Sequence, residues 1–557
     1  MLPTHDFPSP HVSDSIEKPN DESKVQPQKS QLSILFQKFK LPIYLFIWVL
    51  LTVYLGFALG LKKRTQMSDI LPLIFLYVFI FFKLAGSFVS FSFLSAAVNS
   101  FWDNVLMRAI NMIPSRFRKY VYGVFLVVLF IVIGLTIPAT VNGSRGSRLQ
   151  SIFGIFVIIT VFAITSKHRK HIAWHTVFTG QLLQLILGAI VLKTTAGLQF
   201  FKWISDVAGD FLGFSEEGAK FLFGPNVYKD FGNFALSVFP AIIFFVAFIQ
   251  MVYYLGGMQW LVGRLSMFFT KLMDTSGSES VVAAACPFIG QGESAVLVSS
   301  YVEFMTKSEL HAIMTSGFST ISGSVLSGYL SLNVDLAYLI TSCIMSIPCS
   351  LALSKLRYPE TEESLTKGQV VAPATEKTDI NLLHAAGNGA ALGMTLSLMI
   401  AASLIAIISI LAFINNMLTW FGNFVGIAEL TLNLIMGYCL YPLTWLLGIQ
   451  KSDILTVSKL LGTKLVANEF VAYNILNSPI STDSSVILKS TLSSRSQVIT
   501  QFALCGFANL SSVGIQIGAI GAIAPSRKAD LAQLAFSAMI TGFCATCVSA
   551  AIAGFLL

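Results

Sequence analysis

The stretch GQGESAVLV, residues 290–298, places polar and charged side chains where an apolar segment would otherwise continue. Gln291 and Glu293 stand between two glycines and a run of aliphatic residues. Apolar sequence also precedes the stretch, so Glu293 lies inside a segment that is apolar enough to enter a bilayer. A carboxylate at such a depth costs a few kcal/mol or more and marks a site by default. The first question is therefore whether the chain spans a membrane.

Composition answers that question. Among 557 residues, 54% are hydrophobic and only 11% are charged, which leaves too little polar surface for a soluble protein of this size. A helix needs about 20 apolar residues to cross a bilayer, and roughly eleven runs approach that length. They lie near 41–61, 71–95, 120–140, 149–166, 176–193, 233–255, 309–332, 335–354, 391–415, 428–449 and 534–557. The sequence predicts an all-α polytopic membrane protein.

The net charge of +8 reflects topology rather than nucleic-acid binding, because the basic residues are spread over short loops. Basic clusters at 108–119 and 167–170 place both loops, and hence the N-terminus, in the cytoplasm. Asn142 then begins a glycosylation acceptor in an outer loop. The cluster at 62–64 opposes this orientation. Residues 1–40 are rich in Pro, Ser and charge and are predicted to form a disordered tail without a cleaved signal peptide.

Two segments do not read as ordinary spanning helices. Residues 279–300 and 496–524 each consist of two short apolar arms around a polar centre, and each is predicted to form a re-entrant hairpin. Unwound backbone at membrane depth is tolerated only where protein buries it or water reaches it. Two such elements indicate an inverted repeat with a midplane site, as in secondary transporters. The alternative is that the polar centres are loops that cap helix ends at the membrane surface.

A third feature favours the transporter. Residues 461–475, LGTKLVANEFVAYNI, carry Asn468 and Glu469 between apolar turns. With Gln291, Glu293 and Asn509, these side chains offer donors and acceptors for an uncharged, hydroxyl-rich solute. A ligand that contains a sugar fits that set.

From about residue 235 to the C-terminus, the chain resembles the concentrative nucleoside transporters. The resemblance rests on five motifs that occur in the family's order. They are GQGESAVLV, MTKSELHAIMTSGFSTISGSVLSGY (305–329), MSIPCSLALSKLRYPETEES (345–364), LGTKLVANEFVAY (461–473) and FALCGFANLSSVGI (502–515). The implied domains are the tail 1–40, N-terminal transmembrane helices at 41–230 that include a eukaryotic-type extension, and a transporter core at 231–557.

The resemblance assigns the substrate site residue by residue. Gln291 and Glu293 at the first hairpin tip, with Gly292 between them, would meet the nucleobase, and Val325 would line the base pocket. On the ribose side, the resemblance implies that Glu469, Asn509 and Ser512 would hold the ribose hydroxyl groups. Phe507 would pack beside the ribose. Many members have Thr where this chain has Gly292, so its substrate selectivity is expected to differ.

The resemblance also implies a homotrimer in the plasma membrane and an elevator-like movement of the hairpin-bearing domain. Segment 258–273 resembles the interfacial helix that precedes the first hairpin in this family. No cofactor is expected. The partners are a purine or pyrimidine nucleoside, the lipid bilayer, and H⁺ or Na⁺ as the coupling cation.

The coupling ion is where the chain departs from sodium-coupled relatives. Where they have an Asn side chain near the ion, this chain has Cys286, and a thiol is a poor ligand for a hard cation. Thr320 and the carbonyl groups of Ile289 and Ile321 would supply the rest of a weak sodium site. The sequence therefore favours proton over sodium, with Glu293 the first candidate for the proton carrier and Glu469 the second. A sodium-coupled symporter and an uncoupled facilitator are the alternatives.

Other residue patterns argue against different functions. The sequence has no Gly-x-Ser-x-Gly elbow, His-Glu-x-x-His pair or phosphate-binding glycine loop, so an enzyme is not predicted. Cys544 and Cys547 lie in an apolar helix without a polar setting and are expected to pack there. His171 and His175 have the spacing of metal ligands on a helix, but their basic neighbours disfavour a bound cation.

Overall fold

The structure is a computed structural model that describes residues 40–61, 77, 80, 115–136, 144–224, 234–368, 371, 379–427, 430–480 and 483–557. The chain divides into two compact units, Met1–Ile113 and Pro114–Leu557. In the first unit the described helix is α1, Lys40–Leu61. Residues 1–39 of the predicted tail, and nearly all of the apolar run 71–95, lie outside the described residues.

The second unit is almost entirely helical. Its helices are α2 (Ser115–Thr136), α3 (Arg145–Ile164), α4 (Trp174–Lys193), α5 (Thr195–Gly213), α6 (Ser215–Phe223), α7 (Phe234–Tyr254), α8 (Gly257–Met273), α9 (Gly277–Ile289), α10 (Ser299–Val302), α11 (Lys307–Ser319), α12 (Leu326–Ser331), α13 (Leu336–Arg357), α14 (Leu382–Phe424), α15 (Leu432–Leu446), α16 (Ile454–Val466), α17 (Glu469–Asn477), α18 (Leu488–Thr491), α19 (Ser494–Leu504), α20 (Leu510–Ile523) and α21 (Lys528–Leu556). Strands β1 (Pro479–Ile480) and β2 (Asp483–Ile487) form one antiparallel pair between α17 and α18.

Five helical stretches among the described residues are long and apolar enough to cross a bilayer. They are α3, α4, α13, α14 and the stretch Pro525–Leu556 that contains α21. Helices α7 and α8 together pass the same test but are bent by 79° at the short break between them. Helix α8 therefore leaves the direction of α7, as expected of a helix that turns along the membrane surface.

Burial separates the inner helices from the outer ones. The most apolar part of α21 is 89% buried and that of α13 is 78% buried, whereas that of α14 is only 12% buried. Helices α11 and α19 both pack against α21, which places all of them at the core of the unit. Helix α14 packs along α7 and turns an apolar face outward.

The prediction that the apolar run 309–332 forms one spanning helix is wrong. Helix α11 ends at Ser319, and the chain resumes a helical course only with the 3₁₀ turn Gly323–Val325 and α12. The Ser319 and Thr320 hydroxyls both donate hydrogen bonds to the Ser316 carbonyl oxygen. Such side-chain bonds compete with the helical ladder and favour its interruption.

The two histidines of the HIAWH sequence do not share one helix. His171 closes the 3₁₀ turn Arg169–His171, whereas His175 belongs to the first turn of α4 and its ring packs edge-on against Tyr122. The prediction that they lie on one helical face is therefore wrong, because the backbone changes course at Ile172. Cys544 and Cys547 both lie within α21, where Cys547 is fully buried.

Candidate functional site

The first interruption at the site follows α9. Helix α9 begins with a capping box between Ser276 and Glu279 and ends at Ile289, well short of the length that spans a bilayer. The next residues turn through Gly290 (φ 120°) and Gly292 (φ 81°) before a 3₁₀ helix begins at Glu293. Only glycine adopts such φ angles readily, so the two glycines of the quoted stretch create the turn that presents Gln291 and Glu293.

The second interruption lies between α11 and the 3₁₀ turn at Gly323, and it touches the first. A Cβ atom built on Gly290 would lie 3.0 Å from the Ser322 Cβ. A Cβ atom on Gly323 would lie 3.1 Å from the Phe288 carbonyl oxygen. The two stretches of non-helical backbone are therefore in close contact, and neither position has room for a larger residue.

A third interruption, between α19 and α20, meets the second one. The Phe507 amide donates a hydrogen bond of 3.2 Å to the Thr320 carbonyl oxygen. Helix α20 is capped by Asn509, whose side-chain oxygen accepts a 2.8 Å hydrogen bond from the Ser512 amide. That cap places both Asn509 and Ser512 at the start of the helix, where the positive end of its dipole lies.

The fourth interruption separates α16 from α17. Asn468 caps α17 by accepting a 3.0 Å hydrogen bond from the Val471 amide, and Glu469 is the first residue of the helix. The glutamate is 2% exposed. A carboxylate in the first turn of a helix interacts favourably with the helix dipole, so local structure stabilises its negative charge despite the burial.

All four interruptions open onto one cavity with about 760 Å³ of empty space, counting the part that is open to solvent. Seven of the eight predicted substrate-site residues line it: Gln291, Glu293, Val325, Glu469, Phe507, Asn509 and Ser512. Gly292 does not line it, because this residue faces α20, where a Cβ atom on it would lie 2.6 Å from the Ala519 Cβ.

Glu469 is held by two side chains. Its Oε2 accepts a 3.0 Å hydrogen bond from the Asn509 Nδ2, and its Oε1 accepts a 3.2 Å hydrogen bond from the Tyr329 hydroxyl. Tyr329 is fully buried and stacks on Phe470, with ring centroids 4.5 Å apart. A carboxylate oxygen has two acceptor positions, so Glu469 keeps the capacity to accept from a ligand in the cavity.

Gln291 differs from Glu469 in its bonding. The side chain is buried, and its Oε1 has no hydrogen-bond partner among the described residues. A buried acceptor without a partner costs about 1 to 3 kcal/mol. Because Gln291 lines the cavity, a ligand with an N–H or O–H group can satisfy that oxygen.

The predicted ion-coupling residues lie beside the contact between the first two interruptions. Ile289 ends α9 and lines the cavity, whereas Thr320 and Ile321 occupy the second interruption. Cys286 is fully buried, and its Sγ lies 3.2 Å from the Ser294 hydroxyl. The Ile321 amide points to the Cys343 Sγ at 3.5 Å. The Ser294 hydroxyl therefore places one oxygen atom beside Cys286, although the thiol itself is a poor ligand for sodium.

Sequence reasoning missed Lys464, a fully buried cation in α16. Its Nζ donates to the carbonyl oxygens of Ala503 at 2.8 Å and Cys505 at 3.1 Å, and to the Thr546 hydroxyl at 3.1 Å. These carbonyl groups belong to the end of α19 and the interruption after it, where helical partners are lacking. A lysine only five residues before Glu469 in an apolar run was a signal that could have found it.

Tyr329 and the wall that α14 contributes to the cavity were likewise not predicted from the sequence. Leu396, Met399 and Ile400 of α14 line the cavity opposite the polar interruptions. Tyr329 follows a Ser- and Gly-rich stretch, and nothing in its local sequence indicates a contact with a residue 140 positions away. Long-range contacts of this kind do not leave a local pattern.

Together, short helices in pairs and unwound backbone around a buried polar cavity define a membrane transporter of the secondary type. Three family models match the chain. They are the Na⁺ dependent nucleoside transporter N-terminus at residues 153–226, the nucleoside recognition "Gate" at 235–333, and the Na⁺ dependent nucleoside transporter C-terminus at 338–554.

Curated relatives agree with the family models. The chain is 38% identical over 449 residues to sodium/nucleoside cotransporter 2 of Rattus norvegicus, which covers 79% of this chain and 68% of that protein. It is 40% identical over 435 residues to solute carrier family 28 member 3 of Mus musculus, covering 77% and 61% respectively. The chain belongs to the concentrative nucleoside transporter family and is not an enzyme.

Solved structures match the same region. The structure of CNTnw in an inward-facing, substrate-bound state is 35% identical, with a TM-score of 0.67, and the match covers 74% of this chain and 98% of that one. A double variant of CNTnw in an outward-facing state matches with a TM-score of 0.69 at 35% identity, covering 74% and 99%. These similarities confirm the predicted fold class, an all-α polytopic transporter.

Proposed function

We propose that this protein is a sodium-coupled symporter that imports nucleosides. The observation that carries the proposal is the buried Glu469 carboxylate, held by Asn509 and Tyr329 at the edge of a cavity that is lined by polar side chains from four helix interruptions. A buried carboxylate that can still accept hydrogen bonds suits the vicinal hydroxyls of a ribose. Membership of the concentrative nucleoside transporter family supports the same substrate class.

The two sides of the cavity would divide the recognition of the nucleoside. On one side, Glu469, Asn509 and Ser512 bind the ribose hydroxyls, and Phe507 packs beside the sugar. Because these polar groups are buried, a ligand without ribose hydroxyls would leave them without partners and would be rejected strongly. The same side chains therefore give a preference for nucleosides over free nucleobases.

On the other side, Gln291 and Glu293 bind the nucleobase, and Val325 packs against it. Support comes from the Gln291 Oε1, which has no partner among the described residues and lies in a side chain that lines the cavity. An N–H group of a nucleobase would complete its bonding. Gly292 would act through the backbone and its contact with Ala519 rather than by touching the substrate.

Sodium is the coupling ion that we propose. The sequence favoured a proton because Cys286 replaces an oxygen ligand, but the comparisons do not support that preference, and the relatives are sodium/nucleoside cotransporters. The Thr320 hydroxyl and the carbonyl groups of Ile289 and Ile321 would bind sodium beside the first hairpin tip. With Cys286 contributing no oxygen, we expect sodium to bind weakly.

Transport would proceed by an elevator-like movement of the domain that bears the two hairpins, α9–α10 and α19–α20. The chain would form a homotrimer in the plasma membrane with its N-terminus in the cytoplasm. The long helix α14 lines the cavity on one face and exposes apolar residues on another, including Ile405, Phe413 and Trp420, so that this other face is available to lipid or to a neighbouring copy of the chain.

Uptake of labelled uridine, cytidine, adenosine and inosine into transporter-null cells tests the function. We expect accumulation above the external concentration in sodium medium, and loss of accumulation at every pH when choline replaces sodium. Accumulation in choline medium at acidic pH would instead establish proton coupling. Uptake that only equilibrates across the membrane would establish a facilitator, since a facilitator cannot concentrate its substrate.

A further inference from the structure

A buried amide that the proposed recognition does not use lies behind the base side of the cavity. It belongs to Gln516 of α20, which is 1% exposed. The Gln516 Nε2 donates a 3.2 Å hydrogen bond to the Met314 carbonyl oxygen of α11. Because a carbonyl oxygen accepts only from the N–H end of an amide, this bond fixes which end faces α11. The Oε1 atom at the other end has no hydrogen-bond partner among the described residues.

Gln516 packs beside Gln291, whose Oε1 is also buried without a partner among the described residues. Gly317, near the end of α11, lies between the two glutamines. A Cβ atom on Gly317 would lie 2.5 Å from the Gln516 Nε2 and 3.0 Å from the Gln291 Cβ. The two amides therefore approach each other across a residue that has no side chain, and a larger residue at position 317 would separate them.

The two glutamines differ in their access to the cavity. Gln291 lines it, whereas neither Gln516 nor Gly317 does. Gln516 therefore lies behind Gln291, on the side away from a ligand. The oxygen and the nitrogen of a primary amide point in different directions, so an amide that turns its oxygen toward a ligand turns its two N–H donors toward the protein behind it.

Helix α20 holds Gln516 in a fixed place behind the turn that presents Gln291. Ser512, Gln516 and Ala519 follow one another at spacings of four and three residues, which places them on one face of the helix. At one end of this face Ser512 lines the cavity, and at the other end Ala519 lies against Gly292. Gln516 stands between these two contacts.

We propose that Gln516 is a positioning residue for recognition of the nucleobase. With a nucleoside bound, the Gln516 Oε1 accepts a hydrogen bond from the Gln291 Nε2, and the Gln291 Oε1 faces an N–H group of the base. The inference rests on the proposed function, in which Gln291 contacts the base. Both unpaired oxygens gain a donor in this arrangement, one from the protein and one from the substrate. The site then selects bases that present an N–H donor over bases that present only acceptors.

Uptake kinetics in transporter-null cells test the proposal with nucleosides that differ in the donor on the base. Purine riboside lacks the amino group of adenosine, and 2-pyrimidinone riboside lacks the amino group of cytidine. The KM of the analogue divided by the KM of its parent is the donor selectivity, which does not depend on how much protein reaches the membrane. The wild-type protein is expected to prefer the parent nucleosides. Gln516→Met removes the acceptor behind Gln291 and should lower the donor selectivity about fivefold, the effect of one ordinary hydrogen bond.

Two further measurements separate positioning from a general effect on structure. In a Gln291→Ala background, Gln516→Met should change the donor selectivity no further, because Gln516 acts through Gln291. Gln501→Met is the matched control and should keep the wild-type selectivity. Gln501 is also a buried glutamine whose Oε1 has no partner among the described residues, but it does not line the cavity.

Equal donor selectivity in wild type and Gln516→Met would overturn the proposal, and so would equal losses in Gln516→Met and Gln501→Met. An effect of Gln516→Met that persists in full when residue 291 is alanine would do so as well. If Gln291→Ala alone keeps the wild-type selectivity, the assignment of Gln291 to the base fails, and the proposal fails with it.

A cryo-EM structure of the wild-type protein with a bound nucleoside tests the same contact without any variant. The Gln291 Nε2 and the Gln516 Oε1 should lie about 3 Å apart. A separation of more than about 4 Å is too long for a hydrogen bond and would overturn the proposal.

Discussion

The site has a first half, the turn around Gln291 and Glu293, and a second half, the residues around Glu469 and Asn509. The two halves differ in how completely their polar groups are hydrogen-bonded. In the second half, Glu469 has two side-chain partners, and Lys464 satisfies the carbonyl groups freed by the interruption after α19. In the first half, the Gln291 oxygen has no partner among the described residues, and the tip is shaped by two glycines with positive φ. The second half is therefore preorganised for a ligand, whereas the first half, which we propose to bind the nucleobase, has more freedom to adjust.

With the proposed function, this difference predicts a strict requirement for ribose and a tolerance of several bases. A preorganised hydrogen-bonded site discriminates strongly against a missing hydroxyl group. A site with one unpaired acceptor on a glycine turn discriminates less between ligands, and its selectivity changes more readily when the sequence changes. Selectivity among nucleosides should therefore respond to changes near Gln291, and the requirement for a sugar to changes near Glu469.

The largest effect is expected from Glu469→Gln. The amide replaces the carboxylate that we propose to accept hydrogen bonds from two ribose hydroxyls, and it presents an N–H group to Asn509, so transport efficiency should fall by about 100-fold or more. Initial rates of uridine uptake, normalised to surface protein, measure the loss. Glu362→Gln is the control, because Glu362 is exposed. Near-normal uptake by Glu469→Gln would contradict a preorganised second half.

Lys464→Met should lower stability as well as transport. It removes the donor that satisfies the carbonyl groups of Ala503 and Cys505, and each buried acceptor without a partner costs about 1 to 3 kcal/mol. The free energy of unfolding should fall by roughly 2 to 4 kcal/mol. Thermal unfolding of purified protein checks this, with Lys459→Met in the same helix for comparison. A stability equal to that of the control would show that the lysine does not support the interruption.

Gly292→Thr probes the glycine turn of the first half. A threonine would be strained at φ 81° and would meet Ala519, so uptake should fall by roughly tenfold. Adding Ala519→Gly removes the close contact but not the strain, and it should restore part of the uptake. If the double variant shows no recovery of uptake, the contact between residue 292 and α20 is not what lowers uptake in Gly292→Thr.

The smallest effect is expected from Cys286→Asn, which adds an oxygen ligand beside the proposed sodium site. The sodium concentration for half-maximal uptake should fall several-fold, since hard cations prefer oxygen to a thiol. Cys439→Asn is a matched control because Cys439 is exposed. If Cys286→Asn and wild type are both well expressed and show the same sodium dependence, Cys286 does not lie beside the sodium site.

The quoted stretch and the broken segment around Glu469 could be recognised from sequence because charged residues in apolar runs are costly. Composition likewise sufficed for the fold class. The contacts of Tyr329 and Lys464 could not be predicted, because they join residues from 39 to 140 positions apart and depend on how broken helices pack. Segment 309–332 was predicted as one helix because apolar content outweighed its Ser and Gly residues, which in the structure interrupt it.

Binding of uridine, 2′,3′-dideoxyuridine and uracil to purified wild-type, Glu469→Gln and Gln291→Ala proteins, measured by calorimetry, tests whether Glu469 holds the ribose. We expect the wild-type protein to bind uridine far more tightly than the two analogues, which both lack the 2′ and 3′ hydroxyls. We also expect Glu469→Gln to lose most of that difference and Gln291→Ala to retain it. A Glu469→Gln protein that still discriminates fully between uridine and its dideoxy analogue would contradict the assignment of the ribose to the second half.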